Sequence, residues 1–409
     1  MRNGIERKKS TGMLESPVQG SGFRIILALT ALTIRHWYET TLFGHPLCAN
    51  CRSDFPQFYA AAKLIWQSPS ALYDEASQLA IQRTIDSRIG DSLLPYTYPP
   101  FTAMVLMPLG WLSFPVAFAA MALFNLVLYV FSLRLLISRL ELTPEQSMWL
   151  ILIGLCNFGV HSALLQGQAS FVMLSLMAIF AFSFQGTHHI KAGLSTGLMF
   201  FKPQLQLAPF IILFTRRRWF ALAIASMTVT ALAAFSVLLV GSAAIHQYLL
   251  LLQTYLVAQR GYGSYPEAMH NLRALAQYAV PFSWSMYLWV ALLLLVIGAT
   301  FILNAQQRTS PKMTAVQWIG NFVAGVLIAP HLYPHDLAIL IIPTAFSLKM
   351  FQEAVPVWLI IVMIAIGVYP VLPLAFGEHM PPLVPLTLLV IFFQCVLLSY
   401  REERLPAVR

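Results

Sequence analysis

The run Tyr96-Thr97-Tyr98-Pro99-Pro100-Phe101-Thr102-Ala103-Met104-Val105-Leu106-Met107-Pro108-Leu109-Gly110-Trp111-Leu112 decides how the chain is threaded. Its apolar part, residues 99–112, is greasy enough to be taken for a membrane crossing. As a helix it would reach only about 20 Å, against a hydrocarbon core of about 30 Å. Pro99, Pro100 and Pro108 interrupt it further, since each lacks a backbone N–H. We therefore expect a re-entrant or interfacial segment. Every later span would change sides if this run crossed.

Charge supplies an independent constraint. Of 409 residues, 58% are hydrophobic and 10% charged, against about a quarter charged in soluble domains. The chain reads as an all-α, polytopic transmembrane helical bundle. Its net charge of +9 resides in short basic clusters at span ends: Arg7-Lys8-Lys9, Arg134 with Arg139, Arg216-Arg217-Arg218, and Arg401 with Arg404. That is the positive-inside pattern, directed at anionic membrane lipids; no nucleic-acid partner is expected. With the amino terminus inside, a first span at about 23–43 delivers Asp54 outside. The arginine loop near 134–141 lies inside, so a single crossing separates them. That crossing is 115–137.

The remaining spans alternate at 147–164, 169–184, 190–215, 219–241, 285–303, 314–330, 337–349, 355–373 and 383–400. The run 190–215 is split in two at Lys202-Pro203, and the count is about 12 spans. The run from Phe23 lacks a small-residue cleavage site and reads as a retained helix. This organisation leaves cytoplasmic tails at 1–22 and 401–409 around a membrane domain of 23–400. Two outer segments are long, 44–114 and 242–284. The first carries an amphipathic helix with Phe55, Phe58, Tyr59, Ala62, Ile65 and Trp66 on one face, spacing suited to the headgroup plane. A more polar helix is expected over 75–89. Cys156 and Cys395 read as packing residues; Cys48 and Cys51 form a single CxxC, compatible with a local disulfide or two thiols.

Parity places Asp54, Gln166, Gln168, Lys202, His270, Arg273, His331, His335 and Asp336 on the outer face. An acid, histidines, an amide pair and cations gathered there suit an anionic substrate. Each has a plainer reading. Asp54 is either the cap of the helix that follows it or a general base. Lys202 either snorkels to the interface or meets a phosphate. Gln166-Gly167-Gln168 is a tight turn or a binding element. His331 to Asp336 has a histidine spacing of four, but Pro334 breaks the helix that would align metal ligands, so no metal site is assigned. No P-loop, GxSxG, HExxH or dinucleotide fingerprint occurs, and no cofactor is expected; metal dependence stays open.

The chain resembles glycosyltransferase family 87, a GT-C-class group of integral membrane enzymes that includes polyprenyl-phosphate-mannose-dependent mannosyltransferases. The resemblance is carried by Asp54-Phe55 with Tyr59-Ala60-Ala61 and Leu72-Tyr73, then Tyr98-Pro99-Pro100-Phe101 and Met107-Pro108-Leu109. Gln166-Gly167-Gln168, Ala192-Gly193-Leu194 leading to Lys202-Pro203, and Arg216-Arg217-Arg218-Trp219 follow in order. Two positions depart from the family pattern: Ser170 stands where asparagine is frequent, and Met269-His270-Asn271 precedes Leu272-Arg273.

The resemblance implies a GT-C fold with juxtamembrane helices in the first outer loop and Asp54 as the catalytic acid. The donor would be a polyprenyl-phosphate sugar, with mannose favoured, and the acceptor a lipid or glycan hydroxyl at the outer face of a bacterial inner membrane. Lys202, Arg273, His331 and His335 would meet the donor phosphate. Tyr59, Tyr98, Gln166, Gln168, Asn271 and Asp336 would contact substrate. A transferase for another lipid-linked sugar, such as arabinofuranose, is the nearby alternative. A secondary transporter or lipid translocator is the alternative from another class. It would place ionisable residues at mid-span and leave a two-fold repeat.

Overall fold

The computed structural model describes residues 53–85, 93–186, 188–257, 269–305, 312–351 and 382–404, with residues 31 and 369 in isolation. The expected first span, the Cys48–Cys51 pair, the span at 355–373 and both tails lie outside or almost outside these residues. Among the described residues the regular structure is helical. In chain order, α1 is Phe55–Gln67, α2 Glu75–Ile85, α3 Pro100–Leu106, α4 Phe114–Leu140, α5 Pro144–Cys156, α6 Phe158–Leu165 and α7 Ser170–Gln185. There follow α8 at His189–Leu198, α9 at Pro203–Thr215, α10 at Trp219–Val257, α11 at Leu272–Ala279 and α12 at Phe282–Ala305. The series ends with α13 at Ala315–Ile328, α14 at Ile341–Lys349 and α15 at Leu383–Arg404.

Four of these helices are long and apolar enough to cross a membrane, α4, α10, α12 and α15; α5 and α6 make a fifth if their 55° bend is one broken span. The chain is thus an all-α polytopic membrane protein. The count among the described residues is lower than the twelve expected, because two expected spans, 23–43 and 355–373, fall almost wholly outside these residues and several others are short helices. The Lys202-Pro203 split is present: α8 and α9 flank a 3-10 turn at Met199–Phe201. Proline disfavours the α conformation of the residue before it, and Lys202 accordingly lies at φ −129° and ψ 74°. Each half runs only about 15–20 Å, short of a full crossing.

The segment that decides the threading does stop short. Residues 100–111 form α3 and a 3-10 turn, Met107–Trp111, before Ser113 starts the full-length α4. Two other expectations change. Residues 242–257 continue α10 as helix beyond a break at Gly241 (φ 82°), where an outer loop was expected. And α1 is not one-sided: all of Phe55 to Ala62 is buried. Its apolar face meets Phe114 and Phe118, with Phe55 ring centroids 5.4 and 5.3 Å away. Phe58 lies 5.0 Å from Tyr98 on the other side. Trp66, paired with Trp111 at 5.8 Å, stands out with Gln67 at the helix's far end. The amphipathic spacing was real, but protein covers both faces.

Candidate active site

Three interruptions of helix bring the polar residues together. The first is the start of α1. Asp54 occupies the N-cap position, yet its side chain makes no capping hydrogen bond. Ser53 Oγ instead accepts the Phe55 N–H at 3.4 Å. The Asp54 carboxylate is turned away from its own helix and accepts a hydrogen bond on Oδ2 from Gln168 Nε2. The cap reading therefore fails on geometry.

The second interruption is Gln166-Gly167-Gln168, between α6 and α7. Gly167 has φ +61°, the left-handed region that suits glycine, and a Cβ there would lie 2.7 Å from the Phe55 ring. This turn sends its two glutamines to different partners. Gln168 spans Asp54 and Tyr98, accepting from the Tyr98 hydroxyl on Oε1 at 2.7 Å. Gln166 Oε1 accepts from His335 Nδ1 at 2.7 Å.

The third is the pair of breaks at Lys202-Pro203 and Tyr333–Leu340. Pro334 opens a 3-10 segment, Pro334–Leu340, that turns His335 and Asp336 inward. Lys202 Nζ lies 2.6 Å from Asp336 Oδ1, with side chains 2% and 3% exposed. Snorkelling is excluded by that burial. Ser170 Oγ completes the cluster, donating to Asp336 Oδ1 at 3.2 Å and lying 3.4 Å from Lys202 Nζ. Lys202 also sits 5.7 Å from the centre of the Tyr98 ring. His335 stands between the two acids, Nδ1 3.9 Å from Asp54 Oδ2 and Nε2 3.5 Å from Asp336 Oδ2.

The two carboxylates have different environments. Asp54 keeps 27% of its side chain exposed, at the edge of the cluster. Burial of its surroundings raises its pKa to about 6, with Gln168 and the Lys202 charge opposing the rise and Asp336 adding to it. For Asp336 burial also acts upward, but Lys202, His335 and the Ser170 hydrogen bond outweigh it and hold the acid below its ordinary value. Burial lowers His335 to about 4, so near neutrality it is an uncharged hydrogen-bonding group. One acid is locked in an ion pair, and the other is poised to exchange a proton near neutral pH.

Arg273 and His331 form a neighbouring group, Arg273 Nη1 3.3 Å from His331 Nε2 and the guanidinium 5.7 Å from the Trp289 ring centre. Tyr333, between His331 and His335 in the chain, has its ring centre 6.0 Å from that of His335. Backbone pairing of His270 N–H to Leu332 O at 3.0 Å holds the segments in place. Two expected substrate contacts have structural partners. Asn271 caps α11 through the Ala274 N–H at 3.0 Å and donates to Ala329 O at 2.8 Å. Tyr59 donates to Leu112 O at 2.8 Å. The reading of single residues missed Ser170 as a partner of the ion pair, and Asn125, which donates from α4 to the Gln168 carbonyl at 2.9 Å. A lone amide inside an apolar span was the available signal for Asn125.

Comparison with known proteins agrees with this architecture. Residues 96–330 match the model of Glycosyltransferase family 87, a stretch that covers more than half of the chain and includes both the glutamine turn and Lys202. Over 80 residues the chain is 31% identical to a polyprenol-phosphate-mannose-dependent alpha-(1-2)-phosphatidylinositol mannoside mannosyltransferase of Mycolicibacterium smegmatis. That stretch is 20% of this chain and 17% of the relative, so the similarity spans about a sixth of the relative's length. No solved structure matches. On the strength of the family match, the chain belongs to glycosyltransferase family 87.

Proposed function

We propose that this protein transfers a sugar, with mannose favoured, from a polyprenyl-phosphate donor to a lipid or glycan hydroxyl at the outer face of a bacterial inner membrane. The observation that carries the proposal is the contrast between its two acids. Asp54 is partly exposed and held by a neutral amide donor, whereas Asp336 is buried against Lys202. A general base must reach an incoming hydroxyl and exchange a proton near working pH; Asp54 has both properties.

In the proposed reaction the acceptor O–H gives its proton to the Asp54 carboxylate. The acceptor oxygen bonds to the anomeric carbon, and the carbon–oxygen bond to the lipid phosphate breaks. Its electron pair leaves with the polyprenyl phosphate. One base and no covalent sugar intermediate imply a single inverting displacement. Gln168 holds Asp54 in position through the Tyr98–Gln168–Asp54 chain of hydrogen bonds. Arg273 and His331 receive the donor phosphate, and stabilise charge as it develops there. Lys202 contributes chiefly through its field at Asp54, since Asp336 already holds its ammonium. The mycobacterial relative is a polyprenol-phosphate-mannose-dependent mannosyltransferase, which favours mannose over arabinofuranose here.

The test is sugar transfer from radiolabelled polyprenyl-phosphate-mannose in membranes containing wild type, Asp54→Asn or Asp54→Ala at equal protein level. Transfer by wild type, with a loss of about 10²–10⁴ in both variants, is expected. Variants as active as wild type would remove Asp54 from the mechanism. A silent wild type that transfers from another lipid-linked sugar would replace mannose as donor. Solute uptake without any sugar transfer would favour a transporter.

A further inference from the structure

Asn125 lies within α4, the 27-residue apolar helix Phe114–Leu140, and is fully buried. An amide in such a helix is costly, and membrane-buried polar groups need partners. Among the described residues only one end of this side chain has one. Nδ2 donates to the backbone carbonyl of Gln168 at 2.9 Å, while Oδ1 has no hydrogen-bond partner among those residues. A buried oxygen left unpaired is a net cost to folding, so this position is poorly suited to fold stability alone.

What Asn125 holds is the end of the glutamine turn. The amide of Gln168 already closes on the Ala163 carbonyl at 3.0 Å, and Gly167 gives the turn its left-handed step. With its carbonyl tied to α4, Gln168 is held at both backbone groups. Its side chain then has one direction in which to span Tyr98 and Asp54.

We propose that Asn125 is a positioning residue for the transfer reaction: by anchoring the Gln168 carbonyl to α4 it keeps the Gln168 amide on the Asp54 carboxylate. This rests on the reading of Asp54 as the base. Among the described residues the groups facing Asp54 are Gln168, His335, Lys202 and Asp336, and of these only Gln168 is held by Asn125. Releasing Gln168 removes a hydrogen bond to the ionised carboxylate, so Asp54 becomes harder to ionise.

The experiment titrates Asp54 directly, by infrared difference spectroscopy of the purified protein, following the carboxyl band that Asp54→Asn abolishes. Wild type, Asn125→Leu, Asn125→Ala, Gln168→Leu and the double variant Asn125→Leu/Gln168→Leu are compared, with thermal unfolding recorded for each. Leucine is close to asparagine in volume and suits a membrane helix; alanine serves if leucine does not fold. The expected result is an upward midpoint shift in the Asn125 variants of at least half the size produced by Gln168→Leu, with no further shift in the double variant. A midpoint unmoved in the Asn125 variants, whether or not thermal stability falls, overturns the proposal. So does full additivity in the double variant, or a Gln168→Leu midpoint equal to that of wild type. Sugar transfer measured alongside on wild type tests the functional reading separately, because the titration needs no turnover.

Discussion

Lys202 and Asp336, 134 residues apart in sequence, meet at 2.6 Å in a site from which both side chains are almost wholly excluded from solvent. Each sits at a proline-marked break in helix, Lys202 before Pro203 and Asp336 after Pro334. His335 stands between the pair and Asp54. Removing one member leaves the other charged and buried, which typically costs about 3–5 kcal/mol. Asp336→Asn should lower the thermal stability of the detergent-solubilised protein by an amount in that range. The double variant Lys202→Met/Asp336→Leu should recover most of the loss. A double variant as unstable as Asp336→Asn would show that packing, not charge pairing, is the larger contribution.

Turnover should depend on pH through Asp54. Its folded-state pKa is raised to about 6, and a general base works only when deprotonated. The rate should be near its plateau at pH 7.5 and fall about tenfold per unit below the pKa. Asp336→Asn removes a negative neighbour that raises Asp54, so the acid limb should move to lower pH in that variant. An acid limb that stays in place would mean that another group sets it.

Gly167→Ala introduces two faults at once. A side chain at φ +61° is strained, and its Cβ would press on Phe55, 2.7 Å away. The expected cost is about 1–3 kcal/mol in stability. Activity should fall further than stability, because both glutamines change direction together. A variant with wild-type transfer would show that the turn tolerates another backbone shape.

Arg273→Lys keeps the positive charge but loses the planar guanidinium that faces Trp289 and reaches His331. If these residues receive the donor phosphate, KM for the lipid-linked sugar should rise several-fold with a smaller change in kcat. Initial rates across donor concentration separate the two. A kcat loss at constant KM would move Arg273 from donor binding to the chemical step.

Much of the site was legible residue by residue. Asp54 stood out because it is a lone acid beside a span, and Lys202 because a proline follows it. The stretch 99–112 was legible as too short because helix rise and membrane thickness set the limit. What was not legible is equally specific. The spacing of Phe55, Phe58 and Tyr59 promised a one-sided helix, but hydrophobic periodicity says only which side avoids water. It says nothing of whether protein also covers the other side. The break at Gly241 was read as the end of a helix, although the chain resumes helix after it. Asn125 is visible in the sequence as a lone amide in an apolar span, but its partner, the Gln168 carbonyl, lies 43 residues away and is not.

The sequence by itself determined most of the helices, their proline interruptions, the membrane class, and which few polar residues had to find partners in an apolar chain. These follow from forces acting within a turn or two of helix and from the cost of polar groups in lipid. The tertiary structure alone decided the partners: Gln168 for Asp54, Asp336 for Lys202, Gln166 for His335. It also decided that one acid is buried in an ion pair and the other left partly open to solvent. Hydrogen bonds and ion pairs act over a few ångströms, and residues more than a hundred positions apart come within that range only when helices pack.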